Sequence, residues 1–228
     1  MTSSSSILWP AAIEAASYVE QGMVVGLGTG RAAAMFVRAL ALRLVEGLSI
    51  RGVPTSESTA ALARELGIPL VTLDGVDSVD IDVDGADEVS PELDLIKGHG
   101  GALLRERLVA ASSKRFVVLV GEDKLVPRLG AKRAVPVEVI PFGVHVARRG
   151  LEALGARTSL RHDANGHHPF LTDNGNMIFD ASWEEIRSPR ELEARIDVVS
   201  GVVDCGLFVG MADLVLVQTE STVRRLAR

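Results

Sequence analysis

Through its first 130 residues the chain alternates short β-rich runs with helical stretches, and this alternation constrains the fold more than any other feature. Residues 10–21 read as a helix, with Pro10 at the start and Gly22 just past the end. Residues 23–28 follow as a buried strand. Residues 30–46 read as a helix carrying Val37, Leu40 and Leu44 on one face. Then come a strand-like run at 48–53, a helix at 56–66 that stops at Gly67, strands at 69–73 and 79–83, a helix at 102–112 and the wholly apolar strand 116–120. Buried strands joined through helices lie parallel, with the helices covering the sheet, so an α/β fold is expected.

The pattern changes after about Gly130. Residues 135–140 read as a strand and 142–154 as a helix. Residues 157–161 and a polar loop follow. The Asn174-Gly175 pair between Phe170-Leu171 and Met177-Ile178-Phe179 is a hairpin signal. A short helix at 189–196 and a strand at 201–208 complete what reads as a small α+β unit with antiparallel strands. Residues 213–217 are again an apolar run of the parallel type, so the chain is expected to return to its first unit. The expected division is therefore residues 1–130 plus 206–228 in the α/β unit and 131–205 in the small one.

A chain of 228 residues, 47% of them hydrophobic, can bury a large core. Its formal net charge of -6 argues against a broad nucleic-acid-binding surface. Cys205 is the only cysteine, so no intrachain disulfide and no cysteine-based zinc site can form, which fits a reducing, cytoplasmic setting. Residues 1–6 carry no Lys or Arg and no long apolar core follows, so no signal peptide is read; the four serines there read as a frayed tail. No apolar run approaches the roughly 18 residues that a membrane span requires.

Three segments carry candidate chemistry. Gly26-Leu27-Gly28-Thr29-Gly30-Arg31 follows a strand and opens a helix. Glycines bring backbone N–H groups close to an anion, and a helix N-terminus adds positive potential. Arg31 stands where a dinucleotide fingerprint needs its third glycine, and no Walker A loop is present. The segment reads as a phosphate cradle for a smaller ligand, or else as a plain strand-to-helix turn. Asp84-Gly85-Ala86-Asp87-Glu88 ends a strand in which Asp80, Asp82 and Asp84 alternate with apolar residues. Strand periodicity puts Asp84 on the face of Asp82, near the carboxyl end where α/β sheets bind ligands; turn capping is the alternative. Lys97-Gly98-His99-Gly100-Gly101 then leads into a helix that carries Glu106 near its start, and Lys124 follows the strand 116–120 at the same sheet edge. Taken alone, Glu106 is explained by the helix dipole and Lys124 by solvation.

Together these groups suit one reaction. Moving a sugar carbonyl between C1 and C2 needs a carboxylate base for a carbon-bound proton, a cation or N–H donors for the charge that grows on oxygen, and an anchor for a remote phosphate. It needs no metal and no redox cofactor. At these segments, and at Pro136-Val137-Glu138-Val139-Ile140-Pro141 and Thr172-Asp173-Asn174-Gly175-Asn176, the sequence resembles the ribose-5-phosphate isomerase A family from about residue 11 to 217. The resemblance implies a nucleotide-binding-like (Rossmann-like) α/β domain with a smaller ferredoxin-like α+β domain. It also implies a homodimer or homotetramer, no cofactor, and a phosphosugar substrate. It places Glu106 on the general base and Lys97 on the lysine that steadies the enediolate. Asp84 and Asp87 fall on carboxylates that contact sugar hydroxyls and help ring opening. Thr29, Gly30, Arg31 and Ala32 fall on the phosphate loop. Gly85, Ala86, Gly98, His99, Gly100 and Lys124 fall on other substrate contacts.

Three departures stand out. The family's Thr-Gly-Ser-Thr loop is Thr29-Gly30-Arg31-Ala32 here, residues 1–22 lack the family's first-helix lysine, and His99 interrupts a Lys-Gly-Gly-Gly stretch. Arg31 is expected to replace the lost donors as a bidentate phosphate ligand; the alternative is a solvent-facing Arg31 with backbone N–H groups sufficing. His99 is expected to act through its backbone N–H, a ring contact with a sugar hydroxyl being the alternative. His162, His167 and His168 read as a solvated loop rather than a metal site, and Trp9, Tyr18 and Trp183 as packing residues. The rival functions are an isomerase or deaminase of another phosphosugar and a non-catalytic sugar-phosphate sensor.

Overall fold

The structure is a computed structural model that describes residues 9–228, so the serine-rich start lies outside the described residues. In chain order its first elements are α1 (Pro10–Ser17), β1 (Val24–Leu27), α2 (Arg31–Val45), β2 (Arg51–Pro54), α3 (Glu57–Glu65), β3 (Ile81–Gly85), β4 (Glu88–Val89), β5 (Leu95–Ile96), α4 (Leu103–Ala111) and β6 (Phe116–Gly121). There follow β7 (Val135–Val139), α5 (Val144–Ala153), β8 (Arg157–Leu160), β9 (Met177–Ser182), α6 (Pro189–Asp197), β10 (Val202–Cys205), β11 (Leu207–Phe208), β12 (Leu214–Gln218) and β13 (Val223–Ala227).

The central sheet runs β13-β12-β6-β3-β1-β2, parallel except for β13, which is antiparallel to β12. From β1 the chain moves one way to β2 and then returns to build β3, β6 and β12 on the other side. In such sheets the crevice outside the carboxyl ends, at the point of reversal, is where ligands bind. That point lies between β1 and β3.

Side-chain alternation along the strands fixes what each face of the sheet meets. Ile81, Val83, Val117, Leu119, Leu214 and Leu216 pack with α1 and α2 in one core. Phe116, Val118, Val120, Val215 and Val217 face the other way, with Ala110 of α4 and with Phe208. On β3 this second face carries Asp82 and Asp84, both wholly buried. The strand thus sends two carboxyls under α4, the helix that holds Glu106.

The small sheet runs β10-β7-β9-β8, all antiparallel, and buries Val135, Val137, Val139, Phe179 and Ala181 against Ala147 and Leu151 of α5 and Ile196 of α6. A third sheet, β11-β5-β4, continues directly from β10 and pairs back onto the segment before Lys97.

Several expectations need correcting. Residues 69–73 form a single bridge from Leu70 to Gly52 and then run into a 3-10 turn, because the next rung would need an N–H from Pro54, which has none. Phe170-Leu171 is not a strand, and β9 pairs with β7 and β8 instead. The Asn-Gly turn closes on itself, with Asn176's carbonyl accepting from Thr172 N at 2.8 Å. The side chains of Thr172, Asn174 and Asn176 all bond the buried Glu138. An antiparallel pair, β4 with β5, lies inside the first 130 residues, where only parallel strands were expected. The run 201–208 breaks at Gly206, where a Cβ would fall 2.2 Å from the carbonyl oxygen of Lys97. The edge strand β13 lies beyond the last strand read from the sequence.

Candidate active site

Loops from β1, β3 and β5 meet at the reversal point around a cavity of about 380 Å³. Thr29, Gly30, Arg31 and Ala32 line it from the first loop, and Gly85, Ala86 and Asp87 from the second. Lys97, Gly98 and Gly100 line it from the third, with Glu106 from α4 and Lys124 from the turn after β6. Asp84 and His99 are not on its wall.

Asp84 lies beneath the cavity. Its Oδ1 accepts from Thr29 N at 3.0 Å and Gly85 N at 2.7 Å, and its Oδ2 is 3.0 Å from Lys97 Nζ. Gly28 packs directly against it: a Cβ there would lie 2.5 Å from the Asp84 Cα, so no other residue fits. The His99 ring is not on the cavity wall, and its Nε2 lies 3.1 Å from the Ala134 carbonyl oxygen. Its backbone N–H donates to Asp87 Oδ2 at 3.1 Å and is therefore committed to the protein.

The two ends of the cavity differ in kind. At the deep end Lys97 and Glu106 are almost fully buried. Lys97 Nζ donates to the Gly85 carbonyl at 2.5 Å and lies 3.5 Å from Glu106 Oε2. Burial lifts the Glu106 carboxyl to about 8, the Asp84 charge adding to the rise and the Lys97 charge opposing it. Burial alone would lower Lys97, but the Asp84 and Glu106 carboxylates outweigh it and hold the ammonium above its usual range. Asp84 is raised by burial against the pull of Lys97. Asp82 has no partner for either oxygen among the described residues, and burial together with Asp84 pushes it well above the usual carboxylate range.

At the mouth, α2 begins at Gly30 with no side-chain cap and no acidic residue in its first turn. Its first N–H groups therefore face the cavity unopposed, the arrangement that attracts a phosphate. Arg31 is exposed there and makes no ion pair among the described residues. Lys124 has only Asp123 at 3.5 Å. The Thr29 hydroxyl is drawn off to Thr55 Oγ1 at 2.7 Å and Ser56 Oγ at 2.8 Å, so the loop's last hydroxyl faces the protein.

Sequence reading missed several participants. Trp9, read as a packing residue, also borders the cavity. Ser56 caps α3, accepting from Thr59 N, while it holds Thr29. Glu88 is wholly buried and accepts from Gly130 N, Lys132 N and Arg133 N at 2.6–2.7 Å, which anchors the chain entering β7. Among the described residues the histidine-rich loop forms no group with metal-ligand geometry. The one such group is Asp197, Asp204 and Cys205, where the Arg107 guanidinium already pairs with Asp204 at 2.7 Å.

A model of the family "Ribose 5-phosphate isomerase A (phosphoriboisomerase A)" matches residues 51–222. The ribose-5-phosphate isomerase A of Thermomicrobium roseum is 51% identical over 94% of this chain and 90% of its own length. The chain belongs to the ribose 5-phosphate isomerase A family. The enzyme of the same family from Roseiflexus castenholzii is 53% identical over 91% of this chain and 89% of its own. Among solved structures, ribose 5-phosphate isomerase A from Methanocaldococcus jannaschii superposes with a TM-score of 0.92 at 45% identity, covering 96% of both chains. A D-ribose-5-phosphate isomerase in complex with phospho-erythronic acid superposes at 0.93 with 44% identity, again over 96% of both. The α/β architecture expected from the sequence is thus the architecture of this isomerase family. Residues 29–32 lie ahead of the residues that the family model matches.

Proposed function

We propose that the chain interconverts D-ribose 5-phosphate and D-ribulose 5-phosphate through an enediolate, with Glu106 as general base. The observation that carries this reading is the pairing of Glu106 with Lys97 in a buried pocket at the end of a cavity whose mouth is a helix N-terminus. Glu106 takes the proton from C2 of the open-chain aldose, and the electron pair moves through C1 onto its oxygen. The Lys97 ammonium, fixed by Asp84 and the Gly85 carbonyl, stabilises that oxygen. Glu106 returns its proton to C1 while the C2 hydroxyl proton passes to the C1 oxygen. Asp87, on the cavity wall, contacts sugar hydroxyls and assists ring opening. Asp84, out of reach of the cavity, orients Lys97. The α2 N-terminus, Arg31 and Lys124 hold the phosphate. Phospho-erythronic acid, bound by the structural relative, carries a phosphate and a carboxylate whose two oxygens mimic an enediolate, and those are the two features this cavity answers.

The reading includes two units, 1–130 with 206–228 and 131–205. It is supported by the small sheet drawing every strand from 135–205, while the central sheet draws from 24–121 and 214–227. It also includes a cytoplasmic setting, which a lone buried thiol suits, and a homodimer or homotetramer, which the largely exposed Phe142 and Val198 favour. No helix among the described residues is long and apolar enough to cross a membrane.

The deciding experiment follows ribose 5-phosphate by NMR, without added metal, for wild type and Glu106→Gln. Turnover by wild type and a loss of about 10²-fold or more in a folded variant support the reading. A folded but inert wild type overturns it.

A further inference from the structure

Arg161 follows β8 in the small sheet and does not border the cavity, yet its side chain reaches the loop that does. Its Nε donates to Asp180 Oδ2 at 3.0 Å and its Nη2 to Asp180 Oδ1, so the carboxylate of β9 locks the guanidinium plane. The remaining nitrogen, Nη1, donates to two successive carbonyl oxygens, Gly98 at 3.0 Å and His99 at 3.1 Å. The side chain is only 13% exposed, so these bonds are shielded from competing water.

Those two carbonyls dictate where their peptide N–H groups point. A trans peptide sets N–H opposite to C=O, and the described chain has no cis bond. In the 98–99 peptide the carbonyl faces Arg161 and the His99 N–H points the other way, onto Asp87 on the cavity wall. The 99–100 peptide repeats this orientation. Its carbonyl faces Arg161, and its N–H belongs to Gly100, which lines the cavity and whose N–H has no partner among the described residues.

We infer that Arg161 is a positioning residue for the isomerisation: by holding the Gly98 and His99 carbonyls it turns the Gly100 N–H into the cavity, as a second donor beside Lys97 for the enediolate oxygen. The inference rests on the isomerase reading above. Gly101 N also donates to the Gly98 carbonyl at 3.0 Å and closes a turn over 98–101, so without Arg161 it is the central 99–100 peptide, whose carbonyl then has no partner among the described residues, that can rotate; a rotated plane would present a carbonyl oxygen to a developing anion. That penalises the transition state and leaves the phosphate contacts at the cavity mouth untouched.

The test compares wild type, Arg161→Ala, Arg161→Lys and Asp180→Asn for kcat, KM, inhibition by phospho-erythronic acid and by inorganic phosphate, and thermal stability. In Arg161→Ala, kcat is expected to fall about tenfold to a hundredfold, a smaller loss than removing a donor outright. Inhibition by phospho-erythronic acid is expected to weaken by a similar factor, while inhibition by inorganic phosphate stays within about threefold. Added guanidinium at non-denaturing concentration should restore part of kcat. Asp180→Asn breaks the same ion pair from its far end but leaves Nη1 on the loop, so it should lose stability and keep most of its kcat. If Arg161→Ala fails to fold, Arg161→Lys decides, because an ammonium cannot hold Asp180 and both carbonyls together. A folded Arg161 variant with unchanged kcat and unchanged phospho-erythronic acid inhibition overturns the inference, and so does an Asp180→Asn enzyme that loses kcat as severely. A wild type that does not turn over ribose 5-phosphate overturns the isomerase reading itself and is told apart by that.

Discussion

The deep end of the cavity and its mouth both gather charge, but they do so under opposite conditions. At the deep end one ammonium and the carboxyls of Asp84 and Glu106 are sealed from water, with Lys97 2% and Glu106 4% exposed. Every change of charge there is felt strongly, and burial itself raises the base toward neutrality. At the mouth, Arg31 is open to solvent and the positive potential comes largely from a helix terminus. Charge there is screened and adjustable. The buried end is suited to changing the reacting bonds and the open end to holding and releasing a phosphate, so mutations at the two ends should separate kcat from KM.

The largest effect belongs to Lys97. Its removal in Lys97→Met leaves Asp84 and Glu106 facing each other with no cation, and breaking a buried pair costs about 3–5 kcal/mol. Catalysis should fall by about 10² or more through loss of the enediolate partner. Chemical denaturation across pH checks the origin of the stability loss. The deficit against wild type should shrink in acid, where the stranded carboxyls become protonated. A deficit independent of pH would contradict the charge account.

Glu106 comes next, and it gives the comparison a sign. Burial pushes its carboxyl up to about 8 in the fold, against 4.5 for an unperturbed glutamate. Between those values the folded chain keeps a proton that the unfolded chain has released, so this group's contribution to stability declines as pH rises through the window. As a base it must be ionised, so kcat/KM should climb over the same window. Activity and stability therefore run in opposite directions with pH. In Glu106→Gln the stability decline should flatten, so Glu106→Gln should gain on wild type as pH rises from about 4.5 to about 8, with the difference levelling off above that. A kcat/KM profile already flat from pH 5 upward would show that the base is not raised as its burial demands.

Much of this was legible in the sequence because it is local. The parallel α/β sheet followed from short apolar runs separated by helices. The cavity followed from three glycine-bearing segments that the topology carries to one sheet edge. What stayed hidden depends on long-range register. Asp84 reads as a wall residue until β3's alternation, facing α4, puts it under Lys97 instead. His99 reads as a backbone donor for substrate, but Asp87 takes its N–H. The Asn174-Gly175 pair reads as a hairpin until Glu138, 36 residues away, takes the turn's side chains. Arg161 closes the run 157–161 with nothing in its neighbours to announce that it reaches residues 98 and 99, more than 60 positions earlier.

The smallest effects are expected at the mouth, where they sharpen the contrast. Arg31→Ala should raise KM for ribose 5-phosphate and weaken inhibition by inorganic phosphate by about tenfold, with kcat within about threefold, because a charge-assisted contact to the remote phosphate is made equally in ground and transition states. Lys124→Ala should do the same by a smaller factor, since Asp123 shares its charge. Wild-type KM should rise with added salt, and that rise should be shallower in Arg31→Ala, since screening acts on exposed charges. The uncapped N–H groups of α2 remain in both variants, so phosphate binding should be weakened and not abolished. If Arg31→Ala leaves KM and its salt dependence unchanged, the helix terminus alone anchors the phosphate, and Arg31 plays no part in binding.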